Sequence, residues 1–287
     1  MKKILIQLDT DPLPSVFDRV VAVDAEIDEL FSYGGVSPET VEPLVHGAIF
    51  TRGPKELMNT ALFIGGSNVA AGEALFKKVR RTFFGPMCVS VMMDSNGSNT
   101  TAAAAVLSAR QHLDLAGKQA LVLAGTGPVG LRAAQLLAAA GAHVRVGSRS
   151  LEKAAQASEQ VRPGAAAGCQ VTPCASATAD ELRVACEGAE LIIAAGAAGA
   201  ELLPLDLRKS LTSLKVAIDL NAVPPVGIAG VEAIDKGTDR DGVICYGAIG
   251  VGGLKMKIHK AALRRLFSSN DQVLESASIY AIGEQFL

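Results

Sequence analysis

The sequence predicts an α/β protein built on parallel sheets, and three observations carry that reading. Short aliphatic or β-branched runs alternate with longer helical stretches along the 287 residues, the pattern of βα repeats with crossover connections. Aromatic residues make up only 4% and Trp is absent, while 29 glycines and abundant alanine supply small side chains that let helices lie close on a sheet. A strand-like segment at 119–124 leads into Gly125-Thr126-Gly127-Pro128-Val129-Gly130 and a helix-compatible stretch from Leu131 to Leu137, which is GxGxxG in the setting the motif requires. The prediction is a Rossmann-type nucleotide-binding domain plus a smaller α/β domain.

Taken in order, the apolar runs predict strands at 3–8, 47–51, 61–65, 88–92, 119–124, 143–147, 170–173, 191–195, 215–220 and 242–246. A helix is expected over 68–81, with Val69, Leu75, Phe76 and Val79 on its apolar side, and an Ala-rich helix over 101–113. The polar break 114–118 marks a domain boundary, so residues 1–113 form one domain and 114–254 the nucleotide-binding one. Gly247-Ala248-Ile249-Gly250-Val251-Gly252-Gly253 reads as a flexible connection, after which helices at 255–267 and 271–286 return to the first domain.

Composition excludes several function classes. With 27 basic against 29 acidic side chains the net charge is -2, which provides no global field for nucleic acid or an anionic membrane. The longest apolar run, 191–200, is closed by Glu190 and Glu201 and has about half the roughly 20 residues needed to span hydrocarbon. Met1-Lys2-Lys3 followed by Ile4-Leu5-Ile6 imitates a signal peptide but meets Asp9 too soon, so a first strand of a cytoplasmic protein is expected. The five cysteines contain no CxxC pair, so reduced thiols and no metal site are expected.

In the glycine loop the first glycine permits the tight turn, the second lets backbone approach a pyrophosphate, and the third allows helix and strand to pack closely. An acid about 20 residues further on would hold the ribose diol of NAD; here the second strand ends Val146-Gly147-Ser148-Arg149. Arg149 can clamp a 2′-phosphate through its planar fork, Ser148 can donate to it, and Lys153 adds charge. NADP is therefore favoured, with NAD the weaker alternative. Ala195, ending the 191–195 strand, and Asn221, after the 215–220 strand and before Pro224-Pro225, complete the expected cofactor set.

Two further clusters stand out. Asp94-Ser95-Asn96-Gly97-Ser98-Asn99-Thr100-Thr101 lies between a buried strand and an Ala-rich helix, where open α/β sheets bind ligands; helix capping is a concurrent role for Asp94, Ser98 or Asn99. Lys255 and Lys257 open a helix after the glycine run, where cations oppose the macrodipole, and that mismatch suggests a ligand role. His259 reads as a helix-surface or packing residue.

Several segments together resemble one family. Gln7-Leu8-Asp9-Thr10-Asp11, Pro14-Ser15-Val16-Phe17-Asp18, Thr51-Arg52-Gly53, Phe83-Phe84-Gly85-Pro86, the stretch from Asp94 to Ala104, the glycine loop, and Gly250 to His259 look like the bacterial NADP-dependent methylene-tetrahydromethanopterin dehydrogenases. The resemblance spans nearly the whole chain. It implies oxidation of an N5,N10-methylene-tetrahydropterin to the methenyl form with hydride passing to NADP, methylene-tetrahydrofolate being accepted by some members. It also implies a homo-oligomer, a trimer among the options. Under it, Lys255 is placed near the reacting ring as the catalytic candidate and Lys257 on a substrate oxygen. Asp18, Asp94, Asn96, Ser98, Asn99 and Thr100 are placed on polar pterin or tail groups.

Hydride loss from the methylene carbon leaves a cation delocalised over two ring nitrogens, and no proton moves. Such a step depends on positioning and local field, which suits a sequence without a conspicuous acid-base dyad. A lysine beside a developing cation is unfavourable unless it is neutral or an acid offsets it. Two alternatives stand beside this reading. A shikimate- or amino-acid-dehydrogenase relative would need an acid-base residue for an alcohol or amine proton, and a non-catalytic NADP-binding sensor would bind dinucleotide without turnover.

Overall fold

The computed structural model describes all 287 residues as two compact units, Met1–Thr100 with Met256–Gln285, and Thr101–Lys255 with Phe286–Leu287. The first unit begins with β1 (Ile4–Asp9), α1 (Val16–Asp24), β2 (Glu29–Tyr33), α2 (Glu42–Phe50), β3 (Thr60–Gly65), α3 (Val69–Thr82) and β4 (Ser90–Met93), and α4 (Ser98–Arg110) carries the chain into the second. β3 and β4 are buried throughout, as strands covered on both faces must be, which is why they read as unbroken aliphatic runs. Ser15 and Asn68 start α1 and α3 by accepting from the amides of Asp18 and Ala71. The strand expected at 47–51 is instead the end of α2. Val41, Val45, Ala48 and Ile49 are buried at helical spacing, and a short apolar run cannot by itself separate strand from helix.

The second unit continues through β5 (Gln119–Leu123), α5 (Pro128–Ala139), β6 (His143–Ser148), α6 (Leu151–Val161), β7 (Val171–Ala175), α7 (Ala179–Cys186), β8 (Leu191–Ala194), α8 (Leu205–Ser210), β9 (Val216–Asp219), β10 (Lys236–Arg240) and β11 (Val243–Tyr246). Its seven-stranded sheet has the order β10-β11-β9-β8-β5-β6-β7, and only the β10–β11 pair is antiparallel. From β5 the chain winds first toward β6 and then back to β8 on the other side. This reversal opens a crevice beyond the carboxyl ends of β5 and β8. One core face is filled by Leu121, Leu123, Ile192, Ala194, Leu203, Ala217 and Ile228.

α9 (Ala248–Arg265) follows, then β12 (Val273–Leu274) and α10 (Ser276–Gly283). The connection expected to be flexible at 247–253 is largely the first turns of α9. A β-carbon on Gly247 would lie 2.0 Å from the Glu232 carbonyl oxygen and one on Gly250 1.8 Å from that of Asp235, so these glycines allow backbone to pack on backbone. The single helix expected at 271–286 is divided, because β12 pairs with β4 and a Glu275–Ser278 capping box starts a new helix. The first unit's sheet is entirely parallel, in the order β12-β4-β3-β1-β2. The expected division at 113/114 differs by about one helix: Thr101 onward groups with the second unit. No helix is long and apolar enough to cross a membrane.

Candidate active site

In the second unit the turn after β5 is shaped by its own packing. Ala124 adopts φ 54°. A β-carbon on Gly125 would sit 2.9 Å from Val146 Cγ1, and one on Gly130 2.7 Å from the Ala124 carbonyl oxygen and 2.9 Å from Gly125 Cα. At Gly127 the nearest atoms, the Ala124 and Ala195 carbonyl oxygens, would be 3.5 and 3.9 Å away. The first and third glycines are thus demanded by the chain itself, and the second leaves backbone accessible where a pyrophosphate would approach. Pro128 opens α5, and Thr126 and Val129 complete the turn. A helix N-terminus presents amides to an anion, so these residues fit a dinucleotide.

The turn opens into a cleft of about 580 Å³ lined on one side by Thr126, Ser148, Arg149, Ser150 and Lys153, and on another by Ser176, Thr178, Leu182, Glu201, Leu202 and Pro204. The end of β6 carries no acid. Ser148 Oγ accepts from the Ser150 amide at 3.2 Å and Ser150 Oγ from the Lys153 amide at 3.3 Å, an arrangement in which each hydroxyl proton can be given to an anion. Arg149 and Lys153 are exposed beside them. Ser150, Ser176 and Thr178 were not among the expected residues; the Thr178–Glu181 capping box is a legible S/T-x-x-E signal, but its place in this cleft is not.

Ala195 flanks the glycine loop, its amide donating to the Leu123 carbonyl at 3.0 Å. Asn221 is buried, and its amide organises its own loop: Nδ2 donates to Pro225 O at 3.1 Å and Oδ1 accepts from the Val223 amide at 2.9 Å. Before it, the buried Asp219 accepts from the Asn221 and Ile228 amides. Burial raises its pKa and those amides, with that of Gly227, offset part of the rise.

In the first unit the carboxyl ends of β1, β3 and β4 set Asp9, Gly65 and Asp94 along one sheet edge. The segment from Asp94 is a 3-10 turn, Ser95–Gly97, running into α4. Asp94 accepts from the Asn99 and Thr100 amides at 2.8 and 3.0 Å and from Thr100 Oγ1 at 2.6 Å. Asn99 Nδ2 donates to Met93 O, and Ser98 Oγ to Ser95 O. These four residues are buried, whereas Asn96, at φ 54°, is exposed. Asp18 lies in the first turn of α1. A β-carbon on Gly65 would stand 3.1 Å from Asp9 Oδ2 and 3.4 Å from Asp18 Oδ2, so both carboxylates flank this bare position.

Lys255 and Lys257 do not open a helix. α9 starts at Ala248, about two turns earlier, so the macrodipole argument for these lysines falls; Lys257 is exposed and Lys255 partly buried. His259 is fully buried and stacks on Phe63, with ring centroids 5.7 Å apart and planes inclined by 25°.

A doubly wound sheet with a glycine-cradled cleft at its switch point, together with a second parallel α/β unit, defines a Rossmann-type dinucleotide-binding protein. Shikimate 5-dehydrogenase from Listeria monocytogenes shares the fold at TM-score 0.59 and 13% identity, covering 100% of this chain and 96% of that one. Residues 16–96 match the family described as methylene-tetrahydromethanopterin dehydrogenase, N-terminal. The bifunctional protein MdtA of Methylorubrum extorquens is 46% identical over 288 residues, covering 99% of each chain. The NAD(P)-dependent methylenetetrahydromethanopterin dehydrogenase of the same organism is 32% identical over 90% of this chain and 89% of its own. The chain belongs to the methylenetetrahydromethanopterin dehydrogenase family.

Proposed function

We propose that this chain oxidises N5,N10-methylene-tetrahydromethanopterin to the methenyl form, with NADP as hydride acceptor and methylene-tetrahydrofolate as a side substrate. The observation that carries the reading is 32% identity over 90% of the chain to an NAD(P)-dependent methylenetetrahydromethanopterin dehydrogenase, with every glycine of the dinucleotide turn in place. The second unit is assigned to the cofactor and the first to the pterin. When bound, NADP supplies the hydride acceptor. Gly125 to Gly130 and Ala195 would hold the pyrophosphate side, and Ser148, Arg149 and Lys153 the 2′-phosphate.

On the pterin side, Asp18 and Asn96 are assigned to the ring's N–H and amino donors or the tail, as carboxylates and amide oxygens accept such bonds. Asp94, Ser98, Asn99 and Thr100 hold the turn that carries Asn96. Lys255 is assigned to the neighbourhood of the reacting ring and Lys257 to a substrate oxygen. With no proton to transfer, these groups contribute by orienting the methylene carbon and setting the field around a developing cation. A homo-oligomer is supported by Leu13, Val16, Val20 and Val23, which are 55–85% exposed, the three valines on the outward side of α1. A cytoplasmic setting is supported by five free cysteines.

The test is NADPH formation by purified protein given NADP and methylene-tetrahydromethanopterin, with methylene-tetrahydrofolate and NAD in parallel. Fastest turnover with the first pair is expected. Dinucleotide binding without turnover of either pterin would overturn the reading in favour of another dehydrogenase or an NADP-binding sensor.

A further inference from the structure

Asp9 ends β1 with its side chain fully buried. A buried carboxylate must find donors, and here they are backbone and side-chain N–H groups. Oδ1 accepts from the Asp11 amide at 2.9 Å, and Oδ2 from the Ser15 amide at 3.0 Å and Gln7 Nε2 at 3.3 Å. Each loop partner extends the chain of bonds. Ser15 Oγ accepts from the Asp18 amide at 3.3 Å, while the Asp11 carboxylate takes both the amide and the hydroxyl of Ser67 at 2.9 Å. The loop carbonyls are held as well, that of Asp11 by the Gly35 amide at 2.7 Å. Below it Gly34 has no room for a side chain, since a β-carbon there would lie 2.2 Å from Pro12 O.

A surface loop is ordinarily the mobile part of a fold. This one is held from the ends of β1 and β3 and from the turn after β2, and it delivers Asp18 to the flank of Gly65. We propose that Asp9 is a positioning residue for the pterin reaction: it fixes residues 10–18 and thereby the Asp18 carboxylate that receives the substrate. This rests on the functional reading above. Asp9 itself is enclosed, so its effect passes through the Ser15 and Asp11 amides. An asparagine there turns one acceptor into an NH₂ facing an N–H, and at least one of those bonds is lost.

The experiment compares D9N with wild type in two ways: amide hydrogen exchange over residues 10–18, and pterin KM beside the NADPH dissociation constant read by fluorescence. The cofactor unit contains none of these residues and serves as the internal control. Exchange about tenfold faster in 10–18 and a pterin KM raised about tenfold, with NADPH affinity within twofold of wild type, is the expected result. Unchanged exchange in this loop, or equal weakening of both ligands, overturns the proposal. Should D9N fail to fold, S67A removes the hydroxyl bond to Asp11 while the Ser67 amide bond remains, and it is expected to shift exchange and pterin KM about threefold in the same directions; no shift in either overturns it. Absence of turnover by the wild-type protein with any methylene-tetrahydropterin would instead defeat the functional reading, and the exchange comparison would still decide whether Asp9 holds the loop.

Discussion

Arg149 and Arg208 show how surroundings decide what a guanidinium can do. Arg208 is buried, with Nε donating to Ala229 O at 3.1 Å, Nη1 to Arg240 O at 3.2 Å and Nη2 to Asp241 Oδ2 at 2.7 Å. Its fork is occupied by protein and its role is to tie α8 to the β10–β11 turn. Arg149 stands exposed at the end of β6, beside two serine hydroxyls and Lys153 and with no acid at the strand end. A planar fork in that position suits a phosphate dianion, which takes charge-assisted bidentate hydrogen bonds, far better than a neutral ribose diol. R149A is therefore expected to raise the NADP Michaelis constant about tenfold, a hydrogen bond between charged groups being worth roughly that factor or more. The NAD constant should stay near wild type. Steady-state kinetics with both dinucleotides decides the matter, and an equal effect on the two would remove the 2′-phosphate clamp.

At the scale of elements, α9 carries glycines of two kinds. Gly250 is compelled by the Asp235 carbonyl, whereas a β-carbon on Gly252 or Gly253 would meet nothing within 4 Å. In a continuous helix an exposed glycine costs about 0.8–1 kcal/mol relative to alanine. G253A should accordingly stabilise the protein by about that amount in denaturant unfolding, and G250A should destabilise it strongly. No gain from G253A would mean that α9 is not helical at this point in solution. The same helix marks where sequence reasoning stops. β5, β6, β8 and the glycine loop were legible because strand, turn and helix signals are local and mutually consistent. Gly247 and Gly250 read as part of a flexible connection because what requires them is a carbonyl, that of Glu232 and that of Asp235, which no local pattern places beside them. β2, β10 and β12 are edge strands with mixed burial or only two residues, and such strands have little periodicity to show in sequence. Within the site, Arg149 and the turn glycines could be read from their spacing. Ser176 and Asp9 enter through sheet pairing, which no local pattern encodes.

For the molecule as a whole, carboxylates held by the protein's own donors govern how stability responds to acid. Burial alone would push Asp235 upward, but hydrogen bonds from Arg240 and the Glu232 amide, with the Arg240 charge, outweigh it and hold the carboxyl below its ordinary 3.8. Glu190 behaves alike: burial opposes ionisation, yet the Lys118 ammonium at 3.1 Å and the Gln119 amide at 3.2 Å leave it below 4.5. A carboxyl with a depressed folded pKa contributes stability that is present above its unfolded value and lost as pH falls through the folded one. Asp219 has the opposite sign, because burial raises its folded pKa above 3.8; ionised at neutral pH it costs stability, and acidification relieves that cost. Glu39, Glu42, Glu181 and Asp241 at the surface are likewise held below their ordinary values by hydrogen bonds and neighbouring cations, so six depressed carboxyls stand against one raised, and unfolding free energy should decline below about pH 4. D235N isolates one contribution. Its melting temperature should lie below wild type at pH 7, where Arg240 loses a carboxylate held at 2.7 Å, and the two curves should converge as the pH drops below 3.8 and the native Asp235 also becomes neutral. A gap that stays constant from neutral pH down to about pH 3 would show that Asp235 acts through shape and not through its charge.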